Sequence, residues 1–150
     1  MKEPKQDKKS HSKPIFMQKI KTALLSYGMS GKVFHAPFLD LHSGFVITGA
    51  WERSKRLIQS DFPEVKSYAT LEALLQDDCD LVIVNTPVGT HYEYAKQVLL
   101  AGKHAIVEKA FTTTVAEAQE LAALANEKGL QLAVFQNRRW PLRTLCRGPH

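Results

Sequence analysis

The sequence predicts an α/β fold: a doubly wound parallel sheet with helices on both faces. Three observations predict it. From Lys19 onward, short β-type runs alternate with helical patterns, the order that builds βαβ units. Leu81-Val82-Ile83-Val84 is an unbroken apolar run, as expected of a strand covered on both faces. A glycine-containing turn, Ser26 to Gly31, joins the first strand run to the first helical one.

Residues 20–26 read as the first strand. Residues 30–42 carry Phe34, Pro37, Phe38 and Leu41 at the i, i+3, i+4, i+7 spacing of one helix face. Pro37 should kink or end that helix early, because it lacks an N–H and crowds the preceding turn. Residues 45–51 form a second strand, 54–60 a short helix or turn, 65–68 a small strand, and 71–76 a short helix capped by Thr70. After the strand at 81–84, residues 90–101 form a helix with Gly102 just past its end. Residues 105–107 form the next strand. Thr114-Val115-Ala116-Glu117 has the spacing of a capping box, in which hydroxyl and carboxylate satisfy orphan N–H groups reciprocally. Ala118, Leu121, Ala122 and Ala125 supply the apolar stripe behind it, Gly129 stops the helix, and 130–136 is the last strand. The sequence shows no internal repeat and no metal-ligand cluster.

At 150 residues and 44% hydrophobic, the chain has room for one domain with a core, not two. No apolar run approaches the roughly 18 residues of a membrane span, and no secretory pattern follows the basic N-terminus. Cys79 and Cys146 stand far apart without a partner pattern, which predicts free thiols in a reducing, cytoplasmic compartment. The net charge of +5 suggests nucleic acid until its distribution is read. Residues 1–16 carry +3 and residues 138–150 carry +4, leaving the middle at −2. A nucleic-acid module carries its charge on the folded surface, so neither nucleic acid nor membrane is an expected partner. Residues 1–16 read as a disordered basic leader, with Met17 a candidate native start. Residues 17–140 form the expected domain and 141–150 an irregular tail.

The turn Ser26-Tyr27-Gly28-Met29-Ser30-Gly31 is G-x-G-x-x-G with Ser in the first position. Each position has a task. The first makes a tight turn, which Ser can make with negative φ. Gly28 lets a pyrophosphate approach the backbone, and Gly31 lets helix and strand pack closely. The N–H groups and dipole of the helix start then hold phosphates. Glu52 ends the second strand 21 positions after Gly31, close to the ~20 of a carboxylate that binds ribose hydroxyls. Together these point to a dinucleotide cofactor; an ordinary strand-turn-helix is the plainer alternative. Glu52 alone indicates NAD. Arg53 and Ser54 follow it and could grip a 2′-phosphate, provided the carboxylate turns away. A solvated turn is the plain reading of all three, and the choice of NAD or NADP stays open.

Further segments carry a family resemblance. Gly28 through Pro37, Asn85-Thr86-Pro87 with Thr90-His91 and Tyr94-Ala95, Ala101-Gly102-Lys103-His104 with Val107-Glu108-Lys109, and Gln136 through Trp140 together resemble the nucleotide-binding half of the Gfo/Idh/MocA oxidoreductases. The nearest type is the NADP-dependent scyllo-inositol dehydrogenases. The resemblance covers about residues 17–140 and implies a Rossmann-type domain binding NAD(P), with NADP slightly favoured. It places Ser26, Tyr27, Gly28, Met29, Ser30 and Gly31 on the pyrophosphate, and Asn85, Thr86, Pro87 and His91 along the cofactor cleft. It places Glu108 and Lys109 beside the nicotinamide. Lys109 would donate to the substrate oxygen as catalytic residue, and Asn137 and Arg138 would reach toward a polyol, inositol or sugar. A helix-start residue without a ligand is the plainer reading of His91, and packing against the first helix is that of His35.

Two departures qualify the resemblance. The family has Pro after the Lys, across a cis bond; here Ala110 follows. A cis bond before a non-proline costs about 2.5–4 kcal/mol, which predicts a trans bond or a strained turn. After Trp140 the family continues into an α+β substrate domain that supplies a catalytic His, whereas here ten residues with two prolines and no acid follow. They read as a truncation or a break in the reading frame, with the second domain missing. Oligomeric state is open, since family members associate through a sheet in that absent part. The competing readings are a nucleotide-binding module without chemistry and an inactive fragment whose uncovered apolar surface favours aggregation.

Overall fold

Alternation along the strands decides which core each side chain enters, because successive residues of a strand point to opposite faces. In the computed structural model, which describes residues 18–52 and 55–136, Ala23 and Leu25 enter one core and Leu24 the other. Val82 and Val84 likewise oppose Ile83. All four residues of Leu81–Val84 are buried, as the unbroken apolar run requires.

Among the described residues six strands form one parallel sheet: β1 (Ile20–Leu24), β2 (Phe45–Trp51), β3 (Lys66–Tyr68), β4 (Leu81–Val84), β5 (His104–Glu108) and β6 (Leu132–Phe135). The order is β3-β2-β1-β4-β5-β6, with every pair parallel. Helices α1 (Ala36–Leu41), α2 (Ile58–Asp61), α3 (Leu71–Gln76), α4 (His91–Leu100) and α5 (Val115–Glu127) connect them. One core packs Leu71, Leu74, Val98, Leu99 and Leu121 against Val82, Val84 and Val107. The other packs Ala36, Leu39 and Ile58 against Leu24, Ile47 and Ile83. Strand order reverses between β1 and β4, and ligands of such sheets bind outside the carboxyl ends of the strands at that point. This is the Rossmann-type architecture expected from the sequence. No helix among the described residues is long and apolar enough to cross a membrane.

The caps behave as their chemistry dictates. Thr114 Oγ1 accepts the Glu117 N–H at 3.2 Å while Glu117 Oε2 accepts the Thr114 N–H at 3.0 Å, the reciprocal box. Thr70 Oγ1 accepts the Ala73 N–H at 3.2 Å. Gly102 and Gly129 close α4 and α5 with φ of +75° and +65°, the left-handed region in which a β-carbon is disfavoured.

The first helix departs from the expectation. Residues 31–35 form a π-turn, closed by the Ala36 N–H on the Gly31 carbonyl, and α1 follows directly. Pro37 falls in the first turn of α1, where a missing N–H does no harm, so it neither kinks nor ends the helix. The apolar face marked by the spacing points outward: Phe34, Phe38 and Leu41 are 41%, 67% and 83% exposed. His35, Ala36 and Leu39 are buried instead. The leader (1–16), Arg53, Ser54, Asn137, Arg138 and the tail (141–150) lie outside the described residues.

Candidate functional site

The turn after β1 is built around two glycines with different constraints. A β-carbon on Gly31 would lie 2.4 Å from the Ser26 carbonyl oxygen and 3.1 Å from Asn85 Nδ2, so the strand end and helix start meet there only because the side chain is hydrogen. A β-carbon on Gly28 would meet Ser26 Oγ alone, at 3.4 Å, an ordinary contact. Nothing in the fold itself demands glycine at 28, and the open backbone there is free for a ligand's approach.

The first helical bond runs from the Lys32 N–H to the Gly28 carbonyl at 2.9 Å. The amides of Met29, Ser30 and Gly31 therefore have no acceptor within the helix, and no acidic residue occupies the following turn. Partial positive charge collects at this end, which suits an anion. Ser26 Oγ accepts the Gly28 N–H at 3.2 Å; the serine thus braces the turn in the place of the usual first glycine. Met29 is exposed and Tyr27 is buried. The Tyr27 hydroxyl donates to Asp61 at 2.9 Å, and burial, then Asp61, pushes its pKa up. Tyr27 anchors the turn from beneath.

Beside the turn lies a cleft of about 440 Å³ lined by residues from the ends of β1, β2 and β4. Ser26, Gly28, Glu52, Thr86 and Pro87 line it, as do Trp51 and Tyr94, which meet edge to face at 5.3 Å. Sequence reasoning missed the part played by Trp51 and Lys55, whose only signal was closeness to Glu52. Glu52 is already engaged: its carboxylate accepts the Leu57 N–H at 2.9 Å, the Ile58 N–H at 3.2 Å and the Ser67 hydroxyl at 3.1 Å. It caps the start of α2.

Asn85 is buried; its Nδ2 donates to the Ser26 carbonyl at 2.8 Å, and its buried Oδ1 has no partner among the described residues. A buried acceptor left open at a strand end is a group awaiting a donor. Thr86 accepts the Thr90 hydroxyl at 2.8 Å. His91 does not face the cleft, contrary to expectation. It is fully buried, with Nε2 at 2.7 Å from the Thr86 carbonyl and Nδ1 at 2.7 Å from the Ala110 carbonyl. Both ring nitrogens lie against backbone carbonyls, and the tautomer decides which of the two receives the ring N–H; the ring braces the cleft wall from behind.

Glu108 ends β5. Its Oε1 accepts the Ser30 hydroxyl at 2.6 Å and meets His35 Nε2 at 2.8 Å. Burial acts to raise its pKa, but the Ser30 and His35 contacts outweigh that and hold it low. Lys109 follows, exposed; no carboxylate pairs with it among the described residues. The Lys109–Ala110 bond is cis, which corrects the expected trans bond. That expectation weighed only the local preference, whereas the Ala110 carbonyl is also held by His91.

Comparison with known proteins accords with this arrangement. The model of an oxidoreductase family with an NAD-binding Rossmann fold, GFO_IDH_MocA, matches residues 20–136. The chain belongs to the Gfo/Idh/MocA oxidoreductase family. It is 47% identical over 130 residues to an uncharacterized oxidoreductase of Schizosaccharomyces pombe, covering 83% of this chain and 35% of that protein. It is 41% identical over 122 residues to the scyllo-inositol 2-dehydrogenase (NADP(+)) of Bacillus subtilis, covering 81% and 34%. The crystal structure of a Bacteroides fragilis protein assigned as an oxidoreductase superposes with a TM-score of 0.79 at 48% identity, covering 82% of this chain and 38% of that one. The chain thus spans about a third of the length of these curated relatives, and its matched part is the family's NAD-binding Rossmann fold.

Proposed function

We propose that this chain is the NADP(H)-binding part of an oxidoreductase acting on a CH–OH group of a polyol, inositol or sugar. The carrying observation is the turn after Gly28, with three amides left open by the helix and a backbone that only a ligand need approach. The open Asn85 Oδ1 beside it would accept from a hydroxyl or amide donor of the dinucleotide, not from its diphosphate. Ser26 to Gly31 would hold the diphosphate, and Thr86, Pro87 and Tyr94 the wall along which the dinucleotide lies. When bound, the cofactor supplies or accepts hydride.

The engagement of Glu52 favours NADP over NAD. A carboxylate with three donors of its own gains little by leaving them for ribose hydroxyls, and turned toward α2 it opposes a 2′-phosphate less. Lys55 lines the same end of the cleft; Arg53 and Ser54, between Glu52 and Lys55 in sequence, would complete the phosphate grip. Lys109 would donate a hydrogen bond from its Nζ to the substrate oxygen and stabilise charge developing there. Asn137 and Arg138, just past β6, would contact the substrate.

The test is titration of the chain with NADPH and NADH, read by quenching of Trp51, which lines the cleft. NADPH should bind at least about tenfold tighter, roughly 1.4 kcal/mol, and Trp51→Phe should remove most of the quench. Equal affinities would overturn the NADP assignment, and failure of both nucleotides to bind would overturn the whole reading.

A further inference from the structure

We propose that His35 is a positioning residue for Lys109: through the shared Glu108 carboxylate it ties the phosphate-binding turn to the turn that carries Lys109. The proposal rests on the role given to Lys109 above and goes beyond it by naming what holds that residue in place.

Glu108 immediately precedes Lys109, so whatever fixes its side chain fixes the turn. One oxygen, Oε1, serves both Ser30 and His35. Ser30 and His35 are five residues apart. On an α-helix, at 3.6 residues per turn, they would project about 140° apart and could not share an oxygen. The wider π-turn at residues 31–35 closes that gap, and such turns recur at functional sites. The His35 ring is also packed against Phe135 of β6, centroids 4.5 Å apart. Three segments are thereby locked together: the helix start, the end of β5 and the end of β6.

The opposite flank of Lys109 is held by the other buried histidine. His91 reaches the Ala110 carbonyl on one side and the Thr86 carbonyl, at the cleft wall, on the other. The exposed Lys109 stands between two residues that are each fixed from beneath. Ser30 contributes one of the open amides and at the same time donates its hydroxyl to Glu108. An anion that orders Ser30 therefore also orders the Lys109 turn.

Among the described residues Glu108 is the one charged group acting on His35; Ser30 and Phe135 are neutral. Burial lowers the pKa of His35 against the pull of Glu108. A neutral ring that donates to Glu108 carries its proton on Nε2.

The test follows acetylation of Lys109 by mass spectrometry, with and without saturating NADPH, in the unaltered chain, His35→Gln and His35→Leu. Gln keeps an N–H donor and Leu does not. NADPH should slow Lys109 acetylation at least about fivefold in the unaltered chain and His35→Gln, the low end of site-to-site coupling. The effect should fall below about twofold in His35→Leu at saturation. Full protection in His35→Leu overturns the positioning role alone. Absence of protection in the unaltered chain with NADPH bound overturns the reading of Lys109, and this inference with it. A second measurement needs no variant: nitrogen NMR of the His35 ring at pH 7–8 should find the proton on Nε2, and a proton on Nδ1 refutes the bond to Glu108.

Discussion

The two glycines of the nucleotide turn should fail in opposite ways when each is replaced by alanine. At Gly31 the new carbon would sit 2.4 Å from the Ser26 carbonyl oxygen, against an ordinary close C···O separation of about 3.3 Å. Helix start and strand end must part by most of an ångström, because the obstacle is backbone and cannot rotate away. Overpacking of this kind costs about 1–3 kcal/mol. The same shift disturbs the Asn85–Ser26 bond at 2.8 Å, adding about 1 kcal/mol. Gly31→Ala should therefore lose about 2–4 kcal/mol in urea unfolding followed by circular dichroism. At Gly28 the new carbon meets only Ser26 Oγ at 3.4 Å, and Gly28 is not among the residues with positive φ. Gly28→Ala should cost under about 1 kcal/mol of stability, yet weaken NADPH by about tenfold or more, since the methyl stands where the diphosphate would approach. The reasoning is refuted if Gly31→Ala unfolds like the unaltered chain, or if Gly28→Ala binds NADPH unchanged.

Three further outcomes follow from the geometry. Thr114→Ala removes one half of the capping box and should cost about 1 kcal/mol, with Thr114→Ser recovering most of it in the same unfolding assay. His91→Leu removes the ring N–H that stands between the Thr86 and Ala110 carbonyls and should cost about 1–3 kcal/mol, whereas an exposed histidine such as His42 should tolerate Leu. Stability should also depend on pH through His35. Burial sets its folded pKa below the unfolded value of about 6.5, so its contribution is complete above that pH and is lost as pH falls toward the folded value. Urea midpoints measured from pH 8 to 5 should decline below about 6.5, and His35→Gln should flatten that limb. Nearer pH 4 the carboxylates add to the loss, led by Asp77, which Lys66, then Tyr68 and the Asp78 N–H, hold far below the usual range.

What the sequence disclosed and what it withheld divide along the range of the interactions. Local signals were legible: the bounds of β2, α3 and β4 follow from apolar runs and a cap, and the turn at Gly28–Gly31 from glycine spacing beside a strand. Spacing identified the helix containing Phe34, Phe38 and Leu41 but not where its apolar face points, because periodicity records that a face is apolar and not whether anything covers it. The same limit governed the two histidines. His35 and His91 differ in sequence context, one beside a glycine turn and one at a helix start; that context predicts packing for the first, and the family resemblance implies a cleft position for the second. In the fold they do the same kind of work, each buried and each spending its ring on a partner far along the chain: Glu108, 73 residues away, and Ala110, 19 away. The two histidines come to flank the Lys109 turn only because β4 and β5 pair side by side while β1 lies against β4. A reading of Lys109 by motif alone therefore locates the proposed donor but not its support. On the proposal above, the aim of Lys109 is set by the side chains beneath the turn, Ser30 and His35 on Glu108 and His91 beside Ala110.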